Sequence, residues 1–312
     1  MLSRVADALF WMSRYLERAE HVARMLDVCS HLELDLHGLL PGRYEVHWKN
    51  LAAILQQPLP ASNGEPYPVI LRQQLMFDLG NANSIMACIS RARYNARSIR
   101  GTINSRTWKE LNKLYWLLSD PAFSSQARES PHEFYEAVAA GSYAIQGVCD
   151  ATMTHDEGWQ FMQLGKFLER ADRNLRVLDV HAHLLKEPAA GELPLANLQW
   201  AAVLRNCHAF EAYQRLYVGR IEPERVVEFL LLHPDFSRSV RFSLEAASKA
   251  LTAIEGQGGA LSPASRMLGR ILNDLKFAEI DQLVDDLHAF LTRALEGCTR
   301  VSRTLQDQYA LR

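Results

Sequence analysis

The sequence predicts an all-α protein, a helical bundle built from two diverged helical repeats packed about a pseudo-two-fold axis. Apolar residues recur at about 100° per residue along most of the chain, and alternating, strand-like runs are scarce. Proline and glycine cluster in three segments that we interpret as loops, Gln57–Pro68, Lys186–Pro194 and Gly256–Pro263. Between them the pattern predicts helices, with breaks inside the longer ones, over 3–35, 81–118, 131–152, 155–185, 196–218, 223–233, 237–255 and 264–309. Short loops between long amphipathic helices favour antiparallel bundles.

The first predicted helix has an apolar face and a charged stripe. The apolar face carries Leu9, Met12, Tyr15, Leu16, Ala19, Val22, Ala23 and Leu26. The stripe is predicted to lie opposite that face and consists of Arg14, Glu17, Arg18, His21 and Arg24. One carboxylate, that of Glu17, therefore lies among basic side chains.

A second basic cluster lies in the predicted helix over 81–118. Its arginines recur at helical spacing and are Arg91, Arg93, Arg97 and Arg100. Asn81, Asn83 and Ser84 precede them and predict an N-terminal cap. A helix N-terminus beside basic residues suits a phosphate or a carboxylate. A capped basic helix that faces solvent is the alternative.

An internal repeat relates the helix over 155–185 to the first one. A shift of 152 residues places Leu168–Leu184 on Leu16–Leu32, with ten of 17 positions identical. With three more residues inserted, Asn83–Ile89 meets Arg238–Leu244. This length of similarity predicts the duplication of a helical module, in which each copy has an apolar face that needs the other.

The repeat reproduces the charged stripe as well as the apolar face. Its second version consists of Lys166, Glu169, Arg170, Arg173 and Arg176. Trp48 and Trp200 are also equivalent, and we interpret them as core anchors. We predict a single helical domain over 1–312, with repeats over about 1–150 and 151–312.

Two interpretations of the stripes remain open. The first is a solvated face with i,i+4 ion pairs, each contributing a few tenths of a kcal/mol. The second is a pocket between the halves, in which the basic groups hold an anion and Glu17 and Glu169 orient arginine forks. The pattern survives in both copies although packing of the apolar face does not require it, which favours the pocket.

Composition excludes several classes of protein. The 34 basic and 36 acidic side chains give a net charge of −2, without the basic excess of a nucleic-acid binder. The cysteines are far apart and odd in number, which predicts buried, unpaired thiols: Cys29, Cys88, Cys149, Cys207 and Cys298. No stretch approaches the ~20 uncharged apolar residues of a membrane span. We expect a cytoplasmic protein with neither nucleic acid nor membrane as partner.

No complete catalytic or metal-binding motif is present in the sequence. It contains one Glu-x-x-His pair, Glu129 and His132, where a di-iron bundle needs two, and it has no glycine-rich phosphate loop and no Gly-x-Ser-x-Gly elbow. Asp285 and His288 form one Asp-x-x-His. His31 and His183 are equivalent in the repeat and lie near predicted helix ends, where we interpret them as structural. We therefore expect no bound metal and no cofactor.

Four stretches together resemble the bacterial alpha-E domain family, named for a helical domain with a Glu-Arg motif. They are LSRVADALFWMSRYLERAEHVARMLDV, NANSIMACISRARYNARSIR, ATMTHDEGWQFMQLGKFLERADRNLRVLDV and PDFSRSVRFSLEAASKAL. The resemblance runs from residue 2 to beyond 250, and its signature positions are Glu17, Arg18, Glu169 and Arg170. Tyr94 is a departure, because the family often has an acidic residue there.

The resemblance also implies partners and two possible roles. Family members tend to accompany a circularly permuted ATP-grasp protein and a transglutaminase-like protein, which implies chemistry on a peptide or amide bond. The first role is that of an accessory protein that binds the ATP-grasp partner, or an anionic peptide for it, through the stripes. The second is an enzyme acting on a peptide or amide bond, with Glu17 or Glu169 as general acid or base. A carboxylate between arginines is expected to have a lowered pKa, which suits holding an arginine better than accepting a proton.

Overall fold

A computed structural model describes residues 1–37, 44–61, 64–185, 193–256 and 260–311. These residues form α-helices and two short 3-10 turns, and no strand occurs among them. The predicted all-α class is therefore confirmed. Within the described ranges, no helix is both long enough and apolar enough to cross a membrane.

The chain divides into two compact units, Met1–Lys166 and Phe167–Arg312, with the boundary inside helix α8. The first unit contains α1 (Ser3–His37), α2 (Glu45–Ile54), α3 (Tyr67–Phe77), α4 (Ile85–Ser98), α5 (Ser105–Leu118), α6 (Pro121–Glu129), α7 (His132–Thr152) and the first part of α8 (Glu157–His181). The second contains the rest of α8, α9 (Leu193–Asn206), α10 (Phe210–Leu216), α11 (Pro223–Leu232), α12 (Val240–Glu255), α13 (Pro263–Lys276), α14 (Ile280–Leu283) and α15 (Leu287–Tyr309). The 3-10 turns are Ala182–Leu185 and Val284–Asp286. The single domain and its pseudo-two-fold packing stay predictions.

Several elements differ from their predicted bounds. The helix predicted over 81–118 is divided, because α4 ends at Ser98 and α5 begins after Asn104, whose side chain accepts a hydrogen bond from the Thr107 backbone N–H at 2.7 Å. Helices α2, α3 and α6 were not predicted. Helix α3 begins inside the proline-rich segment because proline is well tolerated in the first turn. Of the predicted loops, residues 62–63, 186–192 and 257–259 lie outside the described residues.

Helix α1 lies at the centre of the first unit, where it packs against α2, α3, α4 and α7. The apolar face predicted for it is buried, apart from partial exposure of Tyr15. Trp48 of α2 is also fully buried, and in the second unit Trp200 of α9 is buried to the same degree. Both tryptophans are core residues, as predicted. An apolar side chain of that size stabilises a core by several kcal/mol.

Both units contain the same turn between two helices. In the first unit the Ser84 hydroxyl accepts a hydrogen bond from the Ala87 N–H at 3.1 Å and donates to the Asp78 carbonyl. In the second, the Ser239 hydroxyl accepts from the Phe242 N–H at 3.0 Å and donates to a carbonyl at the same spacing, that of His233. The predicted cap at Ser84 is confirmed, and the local geometry agrees with the alignment of Asn83–Ile89 with Arg238–Leu244.

The first part of α8 approaches α1 closely within the first unit. The contact lies at Gly165, where a Cβ atom would be only 2.3 Å from the backbone carbonyl oxygen of Phe10. Only glycine permits this distance, because a helical carbonyl cannot move without breaking its own ladder. The approach sets Lys166, the first residue of the second stripe, beside α1.

We predict that Gly165→Ala lowers the free energy of unfolding by about 1–3 kcal/mol, the usual range for overpacking. The control is Gly147→Ala on α7, where a Cβ atom would meet nothing within 4 Å. This control should stabilise the helix by roughly 0.5–1 kcal/mol. Denaturant unfolding of both variants is the measurement, and equal midpoints would contradict the close approach.

Candidate functional site

The stripe of α1 is buried rather than solvated. Glu17 and His21 are each 2% exposed. The exposed fractions of Arg14 and Arg24 are below one tenth, and Arg18 is partly exposed. The interpretation as a solvated face is therefore wrong for α1. Within the first unit, α7 packs against α1 and hydrogen-bonds to Glu17 of the stripe.

The buried charges of α1 belong to a polar network with α7. The Glu20 carboxylate accepts from Arg24 Nη1 at 2.5 Å and from the Tyr143 hydroxyl at 2.8 Å. Arg24 Nη2 lies 2.8 Å from His21 Nδ1. Gln146 Nε2 donates to Glu17 at 3.3 Å. Charge-assisted hydrogen bonds of this kind offset the large cost of burying an ionised group.

Sequence reasoning missed three members of this network, Glu20, Tyr143 and Gln146. A signal for Glu20 existed, because the 152-residue shift matches it with another acidic residue, Asp172. Tyr143 and Gln146 lie more than a hundred residues from their partners in the sequence, so no local pattern indicates that they belong to the network.

The stripe of α8 forms two i,i+4 ion pairs. Within the second unit, fully buried Glu169 accepts from Arg173 Nε at 3.0 Å. Asp172 and Arg176 form a more exposed bidentate pair at 2.8 and 3.2 Å. By the repeat, this second pair is the equivalent of Glu20–Arg24 on α1. The Glu169–Arg173 pair lies where α1 has Glu17 and His21, so a histidine in one copy is an arginine in the other.

Arg170 and Asn174 attach α8 to the turn before α12. Arg170 Nη1 donates to the Ser237 carbonyl at 3.1 Å, and Asn174 Nδ2 donates to the Arg238 carbonyl at 2.5 Å. The Arg170 guanidinium also lies over the Phe167 ring at 5.2 Å. One arginine of the Glu-Arg signature thus holds backbone oxygens of a turn.

A small cavity lies beside some of these groups in the first unit. A cavity of about 20 Å³ is lined by residues of α1, α7 and α8, among them Ser13, Gln146, Cys149, Gln163 and Lys166. That volume accommodates about one water molecule. Burial raises the pKa of the Cys149 thiol, and that of Cys29 to about 12, so both thiols are protonated near pH 7 and are weak nucleophiles. All five cysteines are buried and none of them forms a disulfide, as predicted.

The two parts of the anion site predicted on α4 lie apart. Ser84 caps the helix, and Asn83 Nδ2 donates to the Leu55 carbonyl at 2.9 Å. Arg93 follows nine residues after Ser84, which is ~13 Å along a helix at 1.5 Å per residue. The use of both parts by one ligand stays a prediction.

The arginines of α4 instead form a surface with the aromatic residues of α5. Arg93 Nε donates to Asn112 Oδ1 at 2.6 Å, and its guanidinium lies 4.4 Å from the Tyr115 ring centre and 5.3 Å from that of Trp116. Arg100 lies over Trp108 at 5.4 Å. Arg97 and Arg100 are exposed, as are Tyr94 (74%) and Trp116 (62%). We call these residues the α4–α5 face. Arg91 is not part of it, because its guanidinium lies over the Tyr15 ring of α1 at 5.8 Å.

We predict that Arg173→Met lowers the free energy of unfolding by about 3–5 kcal/mol, because it leaves the Glu169 carboxylate buried without its ion-pair partner. Arg176→Met, at the more exposed pair, should cost less than about 1 kcal/mol. The double variant Glu169→Leu with Arg173→Met should recover most of the loss. Similar losses for Arg173→Met and Arg176→Met in urea unfolding would contradict the assignment.

Comparison with known proteins gives relatives without an assigned activity. The chain is 27% identical to an uncharacterized protein of Mycobacterium bovis and 26% identical to one of Mycobacterium tuberculosis, over 97% of its own length. It spans about a third, 36%, of the length of each. No solved structure matches it. The profile of Alpha-E, described as a predicted alpha-helical domain with a conserved ER motif, matches residues 1–310, and the chain belongs to this family.

Proposed function

We propose that this chain is an accessory binding protein of an ATP-grasp-linked system that makes or modifies a peptide or amide bond. Its α4–α5 face binds an acidic segment of the partner, the circularly permuted ATP-grasp protein. The observation that carries the proposal is the combination on this face of exposed arginines with exposed aromatic side chains. The buried stripes of α1 and α8 serve to hold the helices that display it.

Charge supports an acidic segment as the occupant. Residues 85–118 contain seven basic side chains and one acidic side chain, Glu110, although the whole chain has a net charge of −2. Glu110 pairs with Arg106 at 3.2 Å. A local positive field of this kind speeds association with a negatively charged segment and fixes its register.

Composition and rigidity support a protein partner. Tryptophan, tyrosine and arginine are the residues that most often dominate binding energy at protein interfaces. Arg93 is held by Asn112 and by the Tyr115 ring, so it loses little conformational freedom on binding. Trp116 offers a large apolar surface beside it.

The lengths of the relatives agree with an accessory role. In the mycobacterial relatives, the region similar to this chain is joined to nearly twice its length of further polypeptide. A module that works next to another protein can be joined to it in one chain, which raises the effective concentration of one for the other.

The alternative is an enzyme with Glu17 or Glu169 as general acid or base. Glu17 contacts Gln146, which lines the small cavity of the first unit. The geometry supports this alternative less well. The cavity of about 20 Å³ is too small for a peptide, and Glu169 is buried against Arg173.

We predict that Arg97→Glu with Arg100→Glu, and separately Trp116→Ala, each weaken binding to the ATP-grasp protein by at least tenfold. Reversed charges repel the acidic segment, and the alanine removes the apolar anchor. The measurement is the Kd for the complex of the purified full-length proteins at two salt concentrations. At the higher salt concentration, the loss of affinity caused by the two charge reversals should be smaller.

Matched controls come from the second unit, where Arg293 is exposed and Phe277 is 84% exposed. Arg293→Glu and Phe277→Ala should leave the Kd within about twofold. Weakening by these variants, or binding of nucleic acid to the α4–α5 face in place of protein, would overturn the proposal. ATP turnover by the ATP-grasp protein is measured with and without the chain. Formation of product by the chain alone, together with its loss in the Glu17→Gln variant, would establish the enzyme instead.

A further inference from the structure

Three side chains that could bind a metal ion meet near the end of α1, away from the α4–α5 face. They are Asp27 and His31, one turn apart on α1, and His132, the first residue of α7. His132 Nδ1 lies 2.9 Å from Asp27 Oδ1, and His31 Nδ1 lies 3.5 Å from the same oxygen. One potential ligand atom from each residue lies within 4.8 Å of the other two.

The distances fit a tetrahedral ion after small side-chain rotations. Ligands at about 2.0–2.2 Å from Zn²⁺ are roughly 3.3 Å apart in a tetrahedron. Both contacts to Asp27 are close to this value, and the two imidazole rings, with centres 5.4 Å apart, are free to turn because both are more than half exposed. Two imidazoles and one carboxylate suit Zn²⁺, and the exposed side leaves a coordination position for water.

The second unit brings together the same residue types. The 152-residue shift matches Asp27 with Asp179 and His31 with His183. The third residue is His288 in the first turn of α15, whose Nδ1 lies 2.7 Å from Asp179 Oδ1. Asp179, His183 and His288 line one cleft of about 540 Å³. His183 lies in a 3-10 turn, with its Nδ1 at 2.9 Å from the Val180 carbonyl, so this trio is less closely gathered.

Stability alone does not account for two such trios. Exposed histidine–aspartate pairs contribute at most about 1 kcal/mol. One histidine is enough for such a pair, yet each unit brings a second histidine to the same carboxylate or the same cleft. Binding of a shared ion explains why both histidines accompany the aspartate.

We propose that Asp27, His31 and His132 bind one divalent transition-metal ion of the Zn²⁺ class, with water completing its coordination. This revises the expectation of no metal, which rested on motifs close together in sequence, whereas His132 is 105 residues from Asp27. The assignment stands independently of the proposed function, because no residue of the α4–α5 face takes part in it.

The test uses the full chain with His183→Gln and His288→Gln, which removes the second trio. After treatment with a chelator, the protein is titrated with Zn²⁺ against a chromophoric chelator, and with Co²⁺ for its visible spectrum. One equivalent should bind, and Asp27→Asn, His31→Gln and His132→Gln should each lower the affinity at least tenfold.

His155→Gln is the matched control, because His155 is an exposed histidine that stacks on Trp159 at 3.9 Å. It should leave both the affinity and the Co²⁺ spectrum unchanged. Circular dichroism checks that each variant folds, as expected for exposed positions. Failure of the parent to bind Zn²⁺, or equal affinity in the control and the three ligand variants, would overturn the proposal.

Discussion

Burial of charge inside helices that are otherwise apolar is the constraint on which each unit depends. A helix with a polar face normally turns it to water, but α1 is surrounded by α2, α3, α4 and α7. Its carboxylates must therefore find polar partners in the interior, and Arg24, Tyr143 and Gln146 are three of these. Two positions of α7 thus hold side chains that hydrogen-bond to the charges on α1.

The α4–α5 face and the interior networks use arginine in opposite ways. Inside, the guanidinium of Arg173 pairs with the carboxylate of Glu169. On the surface, aromatic rings hold the guanidinium of Arg93. The same residue type therefore supports folding in one place and, as we propose, recognition in the other.

The sequence predicted the parts of the fold that depend on local pattern. Helical class, the long helices and the Ser84 cap follow from periodicity and capping chemistry. Burial of Glu17 did not follow, because the pattern of one helix does not reveal how many neighbours surround it. The meeting of Asp27 with His132 was equally hidden, since only tertiary packing brings residues so far apart in sequence together.

The difference between His21 and Arg173 has a consequence for the history of the molecule. The Glu20–Arg24 pair recurs as Asp172–Arg176, whereas Glu169 pairs with Arg173 at the positions that hold Glu17 and His21 in the first copy. If the sequence of α8 replaced that of α1, an arginine, the residue at position 173, would take the place of His21. The new charges would then face neighbouring residues that evolved beside different charges. The two copies are thus no longer interchangeable, so the ancestral symmetry cannot be restored by recombination without simultaneous changes in the surrounding helices.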